Sequence, residues 1–362
     1  MKFSTAIFLS LFATALLLAY TDSRKFGSLP HGKRLRKIKR SPNYRDGKFQ
    51  NIQPITSGGL GDVLRSLFAL IGKLKIEGPC IPSVKTDLSQ LDIADDVLFW
   101  FGHSSYFIQI AGKRVIVDPL FSEISSPIPN IPKAFPGSNA YGPEDIPEVD
   151  YLLITHDHWD HLDYETVRSI KFRSVICPLG VGAHLERFGV SAEIVMEMDW
   201  NGSIEIGKNF KIYCLPARHF AGRWLRRNKS LWASFLIETG DNFKIFIGGD
   251  SGYGTHFAEI GKKFGGIDLA ILENGQYNEN WKQIHMYPEE TIRAAEDLMA
   301  KALLPVHMAK IYLSVHPWDE PLEKITELAK DKNFRVLTPL IGQRVSLKDQ
   351  AQIFQKWWKR PA

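Results

Sequence analysis

Cysteine is scarce in this chain of 362 residues, with only Cys80, Cys177 and Cys214. An odd set without close spacing supports neither a disulfide framework nor a zinc ribbon. Internal repeats and low-complexity tracts are also missing. Nor does one sign of charge dominate: 45 Lys and Arg stand against 40 Asp and Glu, a formal charge of +5. Ten of the basic residues and one of the acidic ones fall between residues 24 and 48, a local surplus of +9 that leaves −4 for the rest. The body is therefore mildly acidic, and nucleic acid is not expected as a partner. Apolar material is plentiful, at 44% hydrophobic and 12% aromatic residues. That suffices for the core of one large domain with an N-terminal extension.

The N-terminus lacks a convincing small-x-small cleavage site, since Leu17-Leu18-Ala19 and Thr21-Asp22-Ser23 are both weak. Phe3 to Tyr20 is nevertheless almost entirely apolar, broken only by Ser4, Thr5, Ser10 and Thr14, with Lys2 in front. Residues 1–23 read as a signal peptide or a membrane anchor, about long enough to span a bilayer. No Cys follows the run, so a lipoprotein-type terminus is unsupported. Residues 24–57 read as a basic linker, whose Lys33–Arg40 run would meet anionic lipid headgroups at roughly 1 kcal/mol per basic residue. Farther on, Leu60, Val63, Leu64, Leu67, Phe68, Ile71 and Leu74 recur at helical spacing. Residues 58–93 are thus expected as an amphipathic helix and extension, packed on the domain or settled into a membrane surface. The expected location is membrane-associated, or periplasmic if the segment is removed. Oligomerisation stays open.

From residue 94 to 362, strand and helix patterns alternate. Hydrophobic strands at 97–101, 105–110 and 114–118 carry a hairpin at Ala111-Gly112, which indicates an α/β class with mixed sheets. The densest chemistry is His156-Asp157-His158-Trp159-Asp160-His161, directly after the apolar run Tyr151 to Thr155. Crowding imidazoles and carboxylates in this way is unfavourable unless something binds them, and nitrogen plus oxygen donors suit divalent zinc. A His-rich polar turn is the plain alternative, which this spacing after a buried strand disfavours. Further donors cap other apolar runs: His219 after 210–215, Asp250 after 243–247 and His307 after 302–306. Each alone would pass for a turn residue. Cys214 reads as a buried strand residue, His103 as a loop-orienting residue and not a ligand, and His184 and His256 as surface or core. Asp163 reads as a hydrogen-bond partner of a ligand imidazole. Tyr253, His285, Lys310 and His316 are candidate substrate contacts, Lys310 as a point charge for a phosphate.

Together with Trp100-Phe101-Gly102-His103-Ser104-Ser105, Val117-Asp118-Pro119-Leu120-Phe121, Leu231 to Phe235, Gly249 to Tyr253 and His285 to Glu290, these motifs resemble the metallo-β-lactamase superfamily. Within it the chain looks most like the branch of the N-acylphosphatidylethanolamine-hydrolysing phospholipase D and its bacterial relatives, over residues 95 to 345. The resemblance implies a four-layer αββα sandwich, α/β (α+β), with two mixed sheets. It also implies two Zn2+ per chain: His156, His158 and His219 on one, Asp160, His161 and His307 on the other, and Asp250 bridging. Asp160 and Asp250 are then the expected catalytic residues. One departure follows His307, where relatives commonly have an aromatic residue and glycine and this chain has Met308-Ala309-Lys310. A water shared by two zinc ions about 3.5–4 Å apart is acidified toward neutrality and can attack as a bridging hydroxide. An oxygen bridge, unlike a soft thiolate, suits the grip on phosphate oxygens. The implied function is zinc-dependent cleavage of a phosphodiester, phospholipase D-like on N-acylphosphatidylethanolamine. The alternatives are a hydrolase of a soluble lactone, other small-molecule ester or nucleotide phosphodiester, and a membrane-tethered metal-binding protein without turnover.

Overall fold

Successive side chains on a strand point to opposite faces, so a strand that is apolar at every position must be covered on both sides. The computed structural model describes residues 23–56, 79–126, 133–223, 226–314 and 316–359; the strand Val97–Trp100 is of this kind, and the other central strands are buried on both faces over most of their length. A small hairpin of Tyr44–Arg45 (β1) and Lys48–Phe49 (β2) precedes two seven-stranded sheets. The first sheet is ordered Arg344–Ser346 (β16), Val97–Trp100 (β3), Tyr106–Ile110 (β4), Lys113–Val117 (β5), Val149–Leu153 (β6), Phe172–Pro178 (β7) and Val195–Met198 (β8). The second is ordered Arg335–Val336 (β15), Ala300–Val306 (β14), Ile267–Glu273 (β13), Lys244–Ile247 (β12), Ser234–Thr239 (β11), Phe210–Leu215 (β10) and Ser203–Glu205 (β9). Both are mixed: β5 to β8 and β12 to β15 pair in parallel, and the remaining pairs are antiparallel.

The pleat assigns the layers. Leu98, Trp100, Ile108, Val115, Leu153 and Ile176 from the first sheet meet Ile212, Phe235, Ile237, Ile245, Ile247 and Ile271 from the second in one core. Their neighbours Phe99, Phe107, Ile116, Leu152 and Val175 face outward onto Val167, Leu185 and Phe188 of the helices Tyr164–Ser169 and Gly182–Phe188. Leu236, Phe246, Ala270 and Leu303 likewise meet Phe257, Ile260, Ile292 and Ile325 of the helices His256–Phe264, Pro288–Asp297 and Glu320–Leu328. With the earlier helix Gly32–Ile38 counted as α1, these five are α2 to α6, and the result is the four-layer αββα sandwich. Each fully buried Leu, Ile or Phe contributes about 1.5–3 kcal/mol. The β4–β5 hairpin turns through Ala111 and Gly112 at φ 50° and 70°, the pair of positive values that a twisted two-residue turn requires.

Parallel strands all end on the same side, and there the chemistry collects. Asp118 follows β5, Thr155 and His156 follow β6, Asp250 follows β12, Glu273 ends β13 and His307 follows β14. The two sheets therefore present one common rim to the site, which is where open parallel sheets place ligands.

Residues 24–57 read in the sequence as a basic linker; over 24–56 they are instead part of the folded body. Ile38 and Phe49 are fully buried in the core between the sheets. Arg34 bonds Glu186 of α3 at 2.6 Å and Glu197 of β8 at 2.7 Å, and Lys37 Nζ donates to the Glu197 carbonyl at 2.7 Å. The physical reason is charge matching, since a segment with a surplus of +9 lies on a body that carries −4. The apolar run 3–20 and the amphipathic run 60–74 lie outside the described residues. Among the described residues, no helix is long and apolar enough to cross a membrane.

If the segment is a structural element, Ile38→Ala will behave as a core truncation. It should cost about 2–5 kcal/mol in urea unfolding. A change within error of zero would restore the loose-linker reading.

Candidate metal centre

The turn after β6 is short and tightly tied. His161 N and Leu162 N both donate to the His158 carbonyl, at 3.2 and 2.8 Å, which folds His158, Asp160 and His161 toward one another. Arg223 Nη1 closes the turn from outside by donating to the Asp157 carbonyl at 3.1 Å and the Leu162 carbonyl at 2.8 Å. Asp157, although inside the motif, faces away: its carboxylate accepts from His184 Nε2 at 3.1 Å, from Gly222 N at 2.6 Å and from the Ser230 hydroxyl. His184 thus has a carboxylate partner that its sequence neighbourhood does not reveal.

Three groups of donors emerge, each with its ligand-type atoms within 4.8 Å of one another. Two share no residue, His156, His158, His219 and Asp250 against His103, Asp160, His161 and His307, and the third, Asp250, Glu273, His285 and His307, overlaps both. Asp250 lies between the first two. Its Oδ2 is 3.8 Å from His156 Nε2 and 3.7 Å from His219 Nε2, while its Oδ1 is 3.2 Å from His161 Nε2 and 3.3 Å from His307 Nδ1. None of these four contacts has hydrogen-bond geometry. His158 Nε2, His161 Nε2, His307 Nε2, His103 Nδ1 and Asp250 Oδ1 are buried with no hydrogen-bond partner among the described residues. Leaving one such atom unsatisfied costs about 1–3 kcal/mol. Four ring nitrogens and one oxygen of the Asp250 carboxylate left in this state are what bound divalent cations would satisfy, and the all-nitrogen-and-oxygen donor set fits zinc.

The far sides of the rings are anchored. Asp118 Oδ2 bonds His161 Nδ1 at 2.8 Å and takes the Thr155 hydroxyl, while its Oδ1 accepts from Thr155 N. His219 Nδ1 meets the Ile284 carbonyl at 3.0 Å and His156 Nδ1 the Thr155 hydroxyl at 3.0 Å, while the Ser104 hydroxyl lies 2.9 Å from His307 Nδ1, the nitrogen that also faces Asp250. Such partners fix tautomer and ring orientation. Burial pushes His156, His219 and His307 well below the usual imidazole range, and His158 down to about 4. These rings are therefore neutral at pH 7, the form that binds metal. His161 differs: burial opposes its charge, but Asp250, Asp160 and Asp118 outweigh burial and hold it well above that range. Burial would also raise Asp250, yet the charge on His161 keeps it ionised far below the ordinary carboxylate range.

The backbone here is held in a conformation that favours glycine. His103, Asp118, His307 and Ala309 have φ of 51°, 39°, 67° and 58°. His103 N donates to the Met308 carbonyl at 2.8 Å and His307 N to the His103 carbonyl at 2.9 Å, so the two left-handed turns lock each other. Strain of about 1–3 kcal/mol per residue persists only where surroundings over-determine it, and it clusters at functional sites. Ala309 adopts this conformation although it carries a Cβ.

Several sequence readings change. His103 does more than orient a loop: its Nε2 bonds Asp160 Oδ2 at 2.8 Å and its ring lies 4.1 Å from that of His307. Asp163 does not reach an imidazole; it binds the hydroxyls of Ser122 and Thr166. Of the four candidate substrate contacts, only His285 joins the cluster. Its ring is 5.3 Å from those of both His219 and His307, and its Nδ1 is held by Glu273 Oε2 at 2.6 Å. The Tyr253 hydroxyl donates to Asp297, and His316 Nε2 accepts from Gln276 N at 2.8 Å. Lys310 is buried, donates to the Phe101 carbonyl at 3.1 Å and is pushed down by burial to about 7, which suits it poorly as a phosphate cation. Asp118 and Glu273 are the residues that sequence reasoning missed. Asp118 sits inside the Val117–Phe121 motif, whereas Glu273 ends an ordinary apolar strand with no signal of its own.

Comparison with known proteins agrees with this geometry. A domain family described as the beta-lactamase superfamily domain matches residues 113–308. An uncharacterized protein of Mycobacterium tuberculosis is 37% identical over 339 residues, covering 88% of this chain and 88% of its own. N-acyl-phosphatidylethanolamine-hydrolyzing phospholipase D 1 of Caenorhabditis elegans is 30% identical over 317 residues, 78% of this chain and 87% of its own. Among solved structures, the metallo hydrolase Igni18 of Ignicoccus hospitalis shares the fold at 18% identity and a TM-score of 0.52, over 69% of this chain and 97% of its own. With a family match across more than half its length, seated on the rim where the imidazoles converge, this chain belongs to the beta-lactamase superfamily, among its metal-dependent hydrolases.

Proposed function

We propose that this chain holds two Zn2+ and hydrolyses a phosphodiester of a membrane lipid, most concretely N-acylphosphatidylethanolamine with phospholipase D regiochemistry. His156, His158 and His219 would hold one ion, Asp160, His161 and His307 the other, and Asp250 would reach both. The observation that carries this reading is the split of Asp250, with Oδ2 toward His156 and His219 and Oδ1 toward His161 and His307. Ions bound there supply an acidified water and neutralise charge on the attacked phosphorus. The donor set contains no thiolate, because Cys214 is buried in β10, and hard oxygen and nitrogen donors suit phosphate chemistry.

The chain's own groups account for the rest. Asp118 and the Ile284 carbonyl hold the far nitrogens of His161 and His219, and Ser104 holds His307 through Nδ1, so the rings cannot rotate out of the site. His285 stands beside both groups with Nδ1 fixed on Glu273, which leaves Nε2 to hold a proton for the leaving alkoxide. The lipid assignment draws on the C. elegans relative and on the apolar and basic character of residues 3–48. It makes the protein membrane-associated, with anionic lipid as the surface it meets.

Full-length zinc-loaded protein should bind close to two zinc ions by elemental analysis and release the N-acylethanolamine headgroup from its phospholipid. Soluble lactones and nucleotide diesters in the same panel should turn over far more slowly. One ion at saturation would remove the dinuclear centre, and preference for a lactone or nucleotide would replace the lipid by a soluble substrate. Asp250→Ala should lower turnover about 100-fold or more, since metal stabilisation of the transition state is worth several kcal/mol.

The packing of residues 23–56 fixes where the N-terminus can be cut. Protein beginning at Ser23 keeps Arg34, Ile38 and Phe49, and should hydrolyse detergent-dispersed phospholipid like the full chain. On anionic vesicles it should lose activity, and salt should weaken vesicle binding by the full chain, because exposed charges are screened within about 10 Å at 0.1 M. Equal activity of both forms on vesicles would remove membrane delivery from the role of residues 1–22.

A further inference from the structure

The N-terminal segment reaches the metal centre itself. Asn51 Nδ2 donates to the His219 carbonyl at 2.7 Å, and Asn51 Oδ1 accepts from His219 N at 3.1 Å. A carboxamide carries donor and acceptor side by side, so one side chain pairs with both backbone groups of one residue. The neighbouring Arg218 strengthens the junction by donating to the Pro54 carbonyl and the Tyr253 carbonyl, each at 3.0 Å. Farther upstream, Arg223 donates to the Lys25 carbonyl through Nε and Nη2 while clamping the His156–His161 turn. Trp159 of that turn lies 3.9 Å beneath the Arg223 guanidinium and 5.3 Å from the Phe26 ring.

We propose that Asn51 is a positioning residue for His219, and that residues 23–56 act as a brace for one half of the dinuclear centre. The inference rests on the metal assignment made above. His219 is then held at three points, by Asn51 on both backbone groups and by the Ile284 carbonyl on Nδ1, and its Nε2 is left facing His158 Nδ1 at 3.2 Å. The other half is held differently. His161 is anchored by Asp118, His307 by Ser104 and Asp160 by His103. Loss of the Asn51 pair should therefore loosen the ion on His156, His158 and His219 and spare its neighbour.

The test needs no turnover. Zinc-loaded full-length protein, Asn51→Ala, Asn51→Asp and Arg34→Ala are dialysed against graded chelator, and the zinc remaining per chain is counted. Arg34→Ala removes the brace's ion pairs with Glu186 and Glu197 without touching His219, so it reports general loosening. Wild-type protein should hold two ions. In Asn51→Ala one of them should be lost at about 10- to 100-fold lower chelator strength, the usual cost of removing an outer partner, with the second unchanged. Asn51→Asp keeps the acceptor and loses the donor, and should fall between. Unchanged retention of both ions in Asn51→Ala would overturn the proposal, as would equal loss of both matched by Arg34→Ala. Wild-type protein that takes up no second ion would instead overturn the metal assignment.

Discussion

A buried carboxylate between two sets of imidazoles is the constraint on which the rest of this structure depends. Asp250 has ring nitrogens 3.2–3.8 Å from both of its oxygens, yet none of these contacts is a well-formed hydrogen bond. A core of protein groups alone would have paired these atoms, because buried polar groups are almost always satisfied. Here Asp118, Thr155 and the Ile284 carbonyl take the outer nitrogens of His161, His156 and His219, the Nε2 atoms of His156 and His219 meet His158 Nδ1, and His158 Nε2, His161 Nε2, His307 Nε2 and Asp250 Oδ1 are left unpaired. The molecule tolerates a local deficit at its centre and secures it from the periphery.

The sandwich makes that arrangement possible. Parallel strands in both sheets end on one rim, so residues from β5, β6, β12, β13 and β14 converge although they lie far apart in sequence. Rigid strand ends hold donors more closely than loops do, which a metal centre requires. The loops that follow take the strain. His103, Asp118, His307 and Ala309 adopt backbone conformations that side chains rarely favour, and reciprocal backbone bonds between the 103 and 307 turns keep them there. Local energy is given up in exchange for the angle at which each ring enters the cavity.

The N-terminal segment changes character between sequence and structure. Its composition, with ten Lys and Arg in residues 24–48, reads as a basic linker suited to anionic lipid headgroups. Folded, it contributes Ile38 and Phe49 to the core, meets Glu186 and Glu197 through Arg34, and touches the His219 backbone through Asn51. The apolar run upstream thus joins a segment that is itself attached to the loops of the site. Shortly after that run, the Lys25 carbonyl accepts from Arg223, the residue that clamps the His156–His161 turn.

Much of the site was legible in the sequence because its donors obey local rules. His156, His158, Asp160 and His161 share one turn after one apolar run, and His219, Asp250 and His307 each cap a strand. Period-two and near-continuous apolar patterns likewise marked the strands, and the hairpin at Ala111-Gly112 followed from turn chemistry. Other features belong only to the folded chain. Glu273 and Asn51 carry no distinguishing neighbourhood, and their partners lie 12 and 168 residues away, while His103, although inside a recognised motif, has its partner 57 residues away. Lys310 and His316 looked available for a substrate until the fold engaged them with Phe101 and Gln276. The sequence by itself determined which residues could bind and which strands would carry them, because side-chain chemistry and pleat periodicity are local. Tertiary structure alone decided which donors keep free atoms and which spend them on neighbours, because burial and hydrogen bonding depend on what lies across the fold.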